Sequence, residues 1–203
     1  SQPVLINLTD GRPALLQPTK RGEIFMLDRR TGKPIAEVTE KRVPVSDLDG
    51  ERSSPTQPFS TGMPSFAGTE PSEETMWGIT PIDQAWCRLQ FRRARFEGSL
   101  TPIGVNQPTI TWPGSLGGIN WGSVSVDPVR QIMIVNSSHV INYNRLLTRS
   151  QANAIGLKAI SEPSFENIAG PVAQEGAPYA ASIKPFLSPL LAPCTQPPYG
   201  MLS

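Results

Sequence analysis

Thr19-Lys20-Arg21-Gly22-Glu23-Ile24-Phe25-Met26-Leu27-Asp28-Arg29-Arg30-Thr31-Gly32 has the pattern of a strand held between two turns. Glu23 to Leu27 is short, apolar and partly β-branched, as a strand requires. Asp28 suits the first position of a turn because its carboxylate accepts from backbone amides two residues on. Gly32 supplies the positive φ that closes such a turn. Lys33-Pro34-Ile35 then starts a return strand. On the other side, Ala14-Leu15-Leu16 reads as a strand that turns through Pro18-Thr19-Lys20-Arg21-Gly22 into the first one. Residues 1–8 also read as a strand already under way, with no initiating Met. The chain is therefore expected to be an interior piece of a longer protein.

Composition agrees with a chain built from such hairpins. Of 203 residues, 22 are Pro and 17 are Gly, only 17% are charged, and 38% are hydrophobic. Proline is excluded from helix interiors and central strands, which rules out a helical bundle and predicts a loop-rich, mainly β chain. The net charge of +1 gives no general attraction to nucleic acid or anionic lipid, so no nucleic-acid partner is expected. One His and two distant cysteines exclude a multi-His or Cys-rich zinc centre. A structural disulfide between Cys87 and Cys194 would need an oxidising compartment, which their spacing does not decide; two buried thiols are the preferred expectation. No apolar run approaches the roughly 18 residues of a membrane helix, and no signal peptide opens the chain.

Residues 40–75, rich in Pro, Ser, Thr, Glu and Asp, read as a long surface excursion. One helix is expected over about 81–96. Thr80 is its N-cap, Pro81 its first residue, and Asp83 completes a capping-box-like start. Ile82, Trp86 and Leu89 share its apolar face, with Cys87, Phe91 and Ala94 beside it, Arg88, Arg92, Arg93 and Arg95 form a solvated face, and Gly98 is its stop. Thr109 to Trp112 is a strand, as is Ile119 to Val126. Asp127-Pro128-Val129-Arg130 turns the latter into Gln131 to Asn136. A second long connection covers about 146–178 before a proline-studded end. Short strand pairs, glycine turns and a Trp-Gly motif favour a β-propeller over a sandwich.

Three places could carry chemistry. Lys20, in a short inter-strand loop, is either an exposed turn lysine or a donor to an anionic or quinone oxygen. The stretch Trp112-Pro113-Gly114-Ser115-Leu116-Gly117-Gly118-Ile119-Asn120-Trp121-Gly122 either lines a planar ligand or forms a tight β corner. Its glycines allow close backbone approach, Asn120 offers a donor and an acceptor, and Trp121 an apolar plate. His139 follows Ser137-Ser138, but no Gly-x-Ser-x-Gly elbow accompanies it and it reads as a loop or satisfied histidine. No P-loop or dinucleotide-binding glycine motif is present.

Four stretches together resemble the membrane-bound pyrroloquinoline quinone-dependent dehydrogenases of the glucose and quinate/shikimate type. They are Pro18 to Gly32, Met76-Trp77-Gly78-Ile79-Thr80-Pro81-Ile82-Asp83-Gln84-Ala85-Trp86-Cys87-Arg88, Trp112 to Pro128, and Pro185-Phe186-Leu187-Ser188-Pro189 with Ala192-Pro193-Cys194. The resemblance implies a few blades of an eight-bladed quinoprotein propeller on the periplasmic face of the bacterial inner membrane. It implies pyrroloquinoline quinone as cofactor, with calcium or another divalent metal in the full-length protein. It further implies a small polyol substrate oxidised by hydride transfer, and ubiquinone as electron acceptor. Lys20 matches the basic residue that bonds the cofactor's quinone oxygens, and Asn120 a cofactor-contacting position. The family's aspartate base and metal ligands match no residue of this chain, and its membrane segments are absent here. Residues 1–203 are thus expected to be part of one propeller domain. By itself the chain is expected to be inactive, and able to self-associate through exposed blade edges. Ile79 to Arg88 favours quinate or shikimate over glucose; a non-catalytic propeller module for binding or scaffolding is the alternative from another class.

Overall fold

The structure is a computed structural model and describes residues 1–157, 172–173 and 175–203. It is mainly β, built as several small antiparallel sheets. The first contains β1 (Val4–Asn7), β2 (Pro13–Pro18) and β3 (Ile24–Asp28) in that order. Strand β2 alternates half-buried and buried residues along its length, the period of a strand with one face on a core. At the end of β3, Asp28 Oδ1 accepts from the amides of Arg30 and Thr31 at 2.8 and 3.1 Å, and Gly32 takes φ +71°. These bonds, chiefly the one from the Arg30 amide, hold the Asp28 carboxyl below its ordinary pKa. The return through Lys33-Pro34-Ile35 makes a single bridge, Leu27 to Pro34, in place of a full strand.

The stretch from 40 to 75 contains a ribbon where the sequence suggested only a surface excursion. β4 (Val38–Arg42) pairs with β5 (Thr56–Ser60). Its polar strands lack the apolar alternation that marks a strand, because little of either face is buried. Phe59 instead lies under two cations, with the Arg21 guanidinium 4.2 Å and the Lys41 ammonium 5.2 Å from the ring centroid.

Helix α1 spans Pro81–Arg93, with Thr80 Oγ1 accepting from the Asp83 amide. It stops at Ala94, ahead of Gly98. The buried face is rotated from the expected stripe: Ile82 and Leu89 are 84% and 46% exposed and Asp83 is buried, while Trp86, Cys87, Phe91 and Ala94 face the core as expected. Two anchors turn the helix this way. Asp83 Oδ2 accepts from the Ile79 amide, and Cys87 is disulfide-bonded to Cys194. The expectation of two buried thiols is therefore wrong. A Met76–Thr195 bridge and a 2.9 Å bond from the Trp77 amide to the Cys194 carbonyl lay the two segments side by side. The cysteine Cα atoms stand 5.5 Å apart, within disulfide range. Met76, Ile110, Ile141 and Phe186 complete the core around the bridge. Arg88, Arg92 and Arg93 do face solvent, Arg88 and Arg92 both paired with Glu73, whose carboxyl is held low mainly by the Arg92 bond; Arg95, expected on the same face, lies past the helix end, half-buried between Glu97 and Asp47.

Strand β6 (Thr109–Thr111) leads to the hairpin of β7 (Val124–Asp127) and β8 (Ile132–Ser138). The expected strand from Ile119 begins five residues late because residues 120–123 form a turn. There the Ser123 amide donates to the Asn120 carbonyl at 2.9 Å, and Ser123 takes φ +58°. Ile119 is nevertheless fully buried and packs with Leu16, Ile24, Val124 and Val135 between the first sheet and this hairpin. Burial of such a side chain is worth about 1.5–3 kcal/mol. β9 (Asn142–Thr148) returns beside β6, and α2 (Arg149–Ala154) follows under a Thr148–Gln151 capping box. This helix lies in the stretch from 146 that was expected to be a connection; residues 158–171 and 174 of that stretch lie outside the described residues. β10 (Val172–Ala173) and β11 (Tyr179–Ser182) extend the β6–β9 sheet, and β12 (Gly200–Leu202) pairs with β8.

Candidate functional site

The turn from Thr19 to Glu23 joins β2 to β3 and carries Lys20 at its tip. The Thr19 amide and hydroxyl both donate to the Glu23 carbonyl, at 2.9 and 3.0 Å, and the Gly22 amide donates to the Thr19 carbonyl at 3.0 Å. Arg21 is drawn aside, ion-paired with Glu23 and stacked on Phe59. Lys20 stays exposed, and its Nζ donates to the Ser115 carbonyl at 3.1 Å. An ammonium has three N–H groups. With one on Ser115 and no ion pair to a described carboxylate, Lys20 keeps donors for a ligand.

What holds Lys20 is a stack of glycines. The Gly118 amide donates to the Lys20 carbonyl at 2.7 Å. A Cβ on Gly118 would lie 2.6 Å from Gly22 Cα, and one on Gly22 would lie 2.5 Å from the Ala67 amide nitrogen. On Gly117 it would press Lys20 itself at 3.1 Å. Three backbones thus meet where no side chain fits. We expect Gly22→Ala to cost about 2–4 kcal/mol through overlap and its positive φ. Gly32→Ala, with similar φ but nothing near its Cβ, is expected to cost about 1–2 kcal/mol. Denaturant unfolding of the two variants checks the difference.

Asn142 anchors the other side. It is buried, and its Oδ1 accepts from the Ser115 amide, which places the Ser115 carbonyl that receives Lys20. Nothing local announces this role, since an Asn inside a strand carries no mark of its partner. Asn120 sits two residues beyond Gly118, half-buried. Its carbonyl accepts from Ser123 and from Ser1 Oγ, both at 2.9 Å, and its side-chain amide bonds no other described residue. Ser123 Oγ also donates to the Gln2 carbonyl, so the residues ahead of β1 tie down the corner. Of the two tryptophans, Trp112 packs inward with its indole N–H on the Ala67 carbonyl at 3.1 Å. Trp121 is 84% exposed and fills no space between sheets.

The structure thus brings Lys20 onto the Gly117–Gly118 pair, with Asn120 two residues further along that segment, although Lys20 and Asn120 lie 100 positions apart in sequence. The corner offers an ammonium over close-packed backbone, a donor of the kind that an acidic planar quinone would accept from. Among the described residues, no group of three His, Cys, Asp or Glu side chains could hold a metal ion.

The family described as PQQ glucose/ethanol/alcohol dehydrogenase, beta-propeller domain, matches residues 1–203. The chain is 43% identical over its whole length to the glycerol dehydrogenase large subunit of Gluconobacter thailandicus, covering 29% of that protein. It is 41% identical to a probable quinate dehydrogenase (quinone) of Xanthomonas campestris pv. juglandis and 38% identical to the quinoprotein glucose dehydrogenase of Escherichia coli, in both cases over the whole chain and 26% of the relative. It therefore spans between a quarter and three-tenths of these relatives. No solved structure matches it. With its small antiparallel sheets as partial blades, the chain belongs to the PQQ-dependent glucose/ethanol/alcohol dehydrogenase β-propeller family.

Proposed function

We propose that the chain is the cofactor-facing part of a PQQ-dependent dehydrogenase that oxidises a cyclic polyol. The observation that carries this is the Lys20 ammonium, fixed by the Ser115 carbonyl over a glycine stack and left with donors to spare. When bound, pyrroloquinoline quinone supplies an electrophilic quinone that accepts hydride from the substrate alcohol. Lys20 donates to the oxygen where negative charge gathers, and its fixed position spares reorganisation as charge develops. Asn120 would offer the cofactor a donor and an acceptor. The calcium or other divalent metal is held by residues outside this chain, as is the base, and the chain alone has no turnover.

Electrons leave to a membrane quinone, for which ubiquinone is our reading; the names of two relatives carry the word quinone. A fully buried disulfide fits a protein that matures in an oxidising compartment, which supports the periplasmic face of the inner membrane. Edge strands such as β1 and β12 leave backbone groups for pairing, so the isolated chain self-associates. Relatives named for glycerol, quinate and glucose lie between 36% and 43% identity, and Ile79 to Arg88 leads us to place quinate or shikimate ahead of glucose.

The test is the full-length protein reconstituted with cofactor and calcium and assayed on quinate, shikimate, glucose and glycerol. Dye reduction with at least one of them, quinate or shikimate preferred, is expected. A protein that binds no cofactor and oxidises none of the four would instead be a non-catalytic propeller module.

A further inference from the structure

Lys20 and Arg21 are the two central residues of one turn, closed by the Gly22 amide on the Thr19 carbonyl, yet their side chains part. Lys20 crosses to the Ser115 carbonyl and stays exposed. Arg21 goes to the β4–β5 ribbon. Its Nη2 donates to the Pro58 carbonyl at 3.0 Å, its guanidinium lies 4.2 Å from the Phe59 ring centroid, and it is ion-paired with Glu23. The ribbon is itself pinned to the strand that leaves the turn, with Ser60 Oγ donating to the Ile24 carbonyl at 2.6 Å.

The two side chains of the Arg21–Glu23 pair are only 20% and 12% exposed. A carboxylate so enclosed needs a cation, and removing one partner of such a pair leaves the other charge uncompensated. Two further cations stand close by. Lys20 lies three positions before Glu23 across the same turn, within the combined reach of the two side chains. Lys41 sits on the ribbon with its ammonium 5.2 Å from the Phe59 centroid. Lys20 is held only by a neutral carbonyl at its tip, and a carboxylate attracts an ammonium more strongly than a carbonyl does. A Glu23 freed from Arg21 would therefore draw Lys20 off Ser115 and occupy the donors that a ligand needs.

We infer that Arg21 is a positioning residue for Lys20. By engaging Glu23 from the ribbon side, it leaves the Lys20 ammonium without a carboxylate partner and open to an anionic or quinone oxygen. Ser115 and Asn142 fix where the ammonium stands; Arg21 keeps its charge available. The inference rests on the dehydrogenase reading for the identity of the ligand, and not for the pairing itself.

The first test needs no cofactor. The full-length apoprotein is acetylated with N-hydroxysulfosuccinimide acetate, and the rate at each lysine is read by mass spectrometry. Pairing with a carboxylate protects an amine, so Lys20 is expected to react about fivefold more slowly in Arg21→Gln than in wild type. The rate is expected to recover in Arg21→Gln/Glu23→Gln, where no carboxylate is left to compete. Arg21→Lys retains a cation for Glu23 and is expected to lie between, and it carries the comparison where Arg21→Gln folds poorly. The second test titrates pyrroloquinoline quinone into the same proteins. Arg21→Gln is expected to weaken Kd about tenfold and to add nothing in a Lys20→Ala background, because it acts through the lysine. A merely structural role would weaken binding equally in both backgrounds and leave Lys20 reactivity unmoved.

The inference is overturned by Lys20 reactivity equal to wild type in both Arg21 variants, by protection of Lys41 in place of Lys20, or by additive losses with Lys20→Ala. Wild-type protein that binds no cofactor, yet shows the loss and recovery of Lys20 reactivity, would sink the dehydrogenase reading and leave the role of Arg21 standing.

Discussion

Replacing Cys87 and Cys194 together by alanine is expected to lower unfolding free energy by about 2–5 kcal/mol. The bridge spans 107 residues, and a loop of about 100 residues loses close to 4.7 kcal/mol of closure entropy in the unfolded chain. The two sulfurs also sit inside the core formed by Met76, Ile110, Ile141 and Phe186, with both cysteines fully buried. With the bond broken, α1 and the segment from 185 to 195 are held, among the described residues, only by the Met76–Thr195 bridge, the Trp77–Cys194 hydrogen bond and their shared core. Denaturant unfolding with and without reductant is the measurement. Wild type should lose stability when reduced, and the double variant should be indifferent to reductant. Equal midpoints for oxidised wild type and the variant would show that packing alone holds the helix.

The same bridge marks where sequence reading stops. The hairpin around Asp28 was legible because every determinant is local: a run of strand formers, a carboxylate two residues from the amides it accepts, and a glycine at φ +71°. The cysteine pairing was not, since contact across more than 100 positions leaves no trace in the neighbours of either residue. Helix α1 shows the intermediate case. Its period and N-cap were readable, yet Ile82 and Leu89 satisfy the period and still face solvent. Which side a helix buries is decided by its anchors, here Asp83 and Cys87. Ile119 misled differently, being buried through a turn that rests on the glycine stack and not through a strand. Ser115 and Asn142 acquire their roles only by tertiary contact.

Legible and illegible parts meet at the Lys20 corner. The turn that presents the lysine is local, but the floor under it comes from residues 114–118 and the wall behind it from Phe66 and Ala67. A cation on a flexible loop would spend its attraction for a ligand on becoming ordered. Gly118, Gly22 and Ala67 remove that freedom at the backbone, and Asn142 removes it at the side chain through Ser115. The corner is therefore preorganised before any ligand arrives.

Lys20→Ala in the full-length holoenzyme is accordingly expected to lower kcat by about 10²–10³-fold, the usual effect of removing one fixed donor from a developing oxyanion. Lys20 is exposed and contributes one side-chain hydrogen bond, so thermal stability should stay within about 1 kcal/mol of wild type. Lys20→Arg should recover only part of the rate. A planar guanidinium keeps the charge but cannot place a single compact donor over Gly117, where the lysine Cβ and Cγ already lie 3.1 Å from the position a Cβ would take. Ser115 contributes through its carbonyl, so Ser115→Ala should be near neutral. Asn142→Ala, which frees that carbonyl, should lower kcat in the same direction as Lys20→Ala by a smaller factor. Single-turnover rates with cofactor in excess separate the step from cofactor loss. If Lys20→Ala only weakens cofactor binding and keeps the wild-type single-turnover rate, the lysine is a binding group and its electrostatic role in hydride transfer falls.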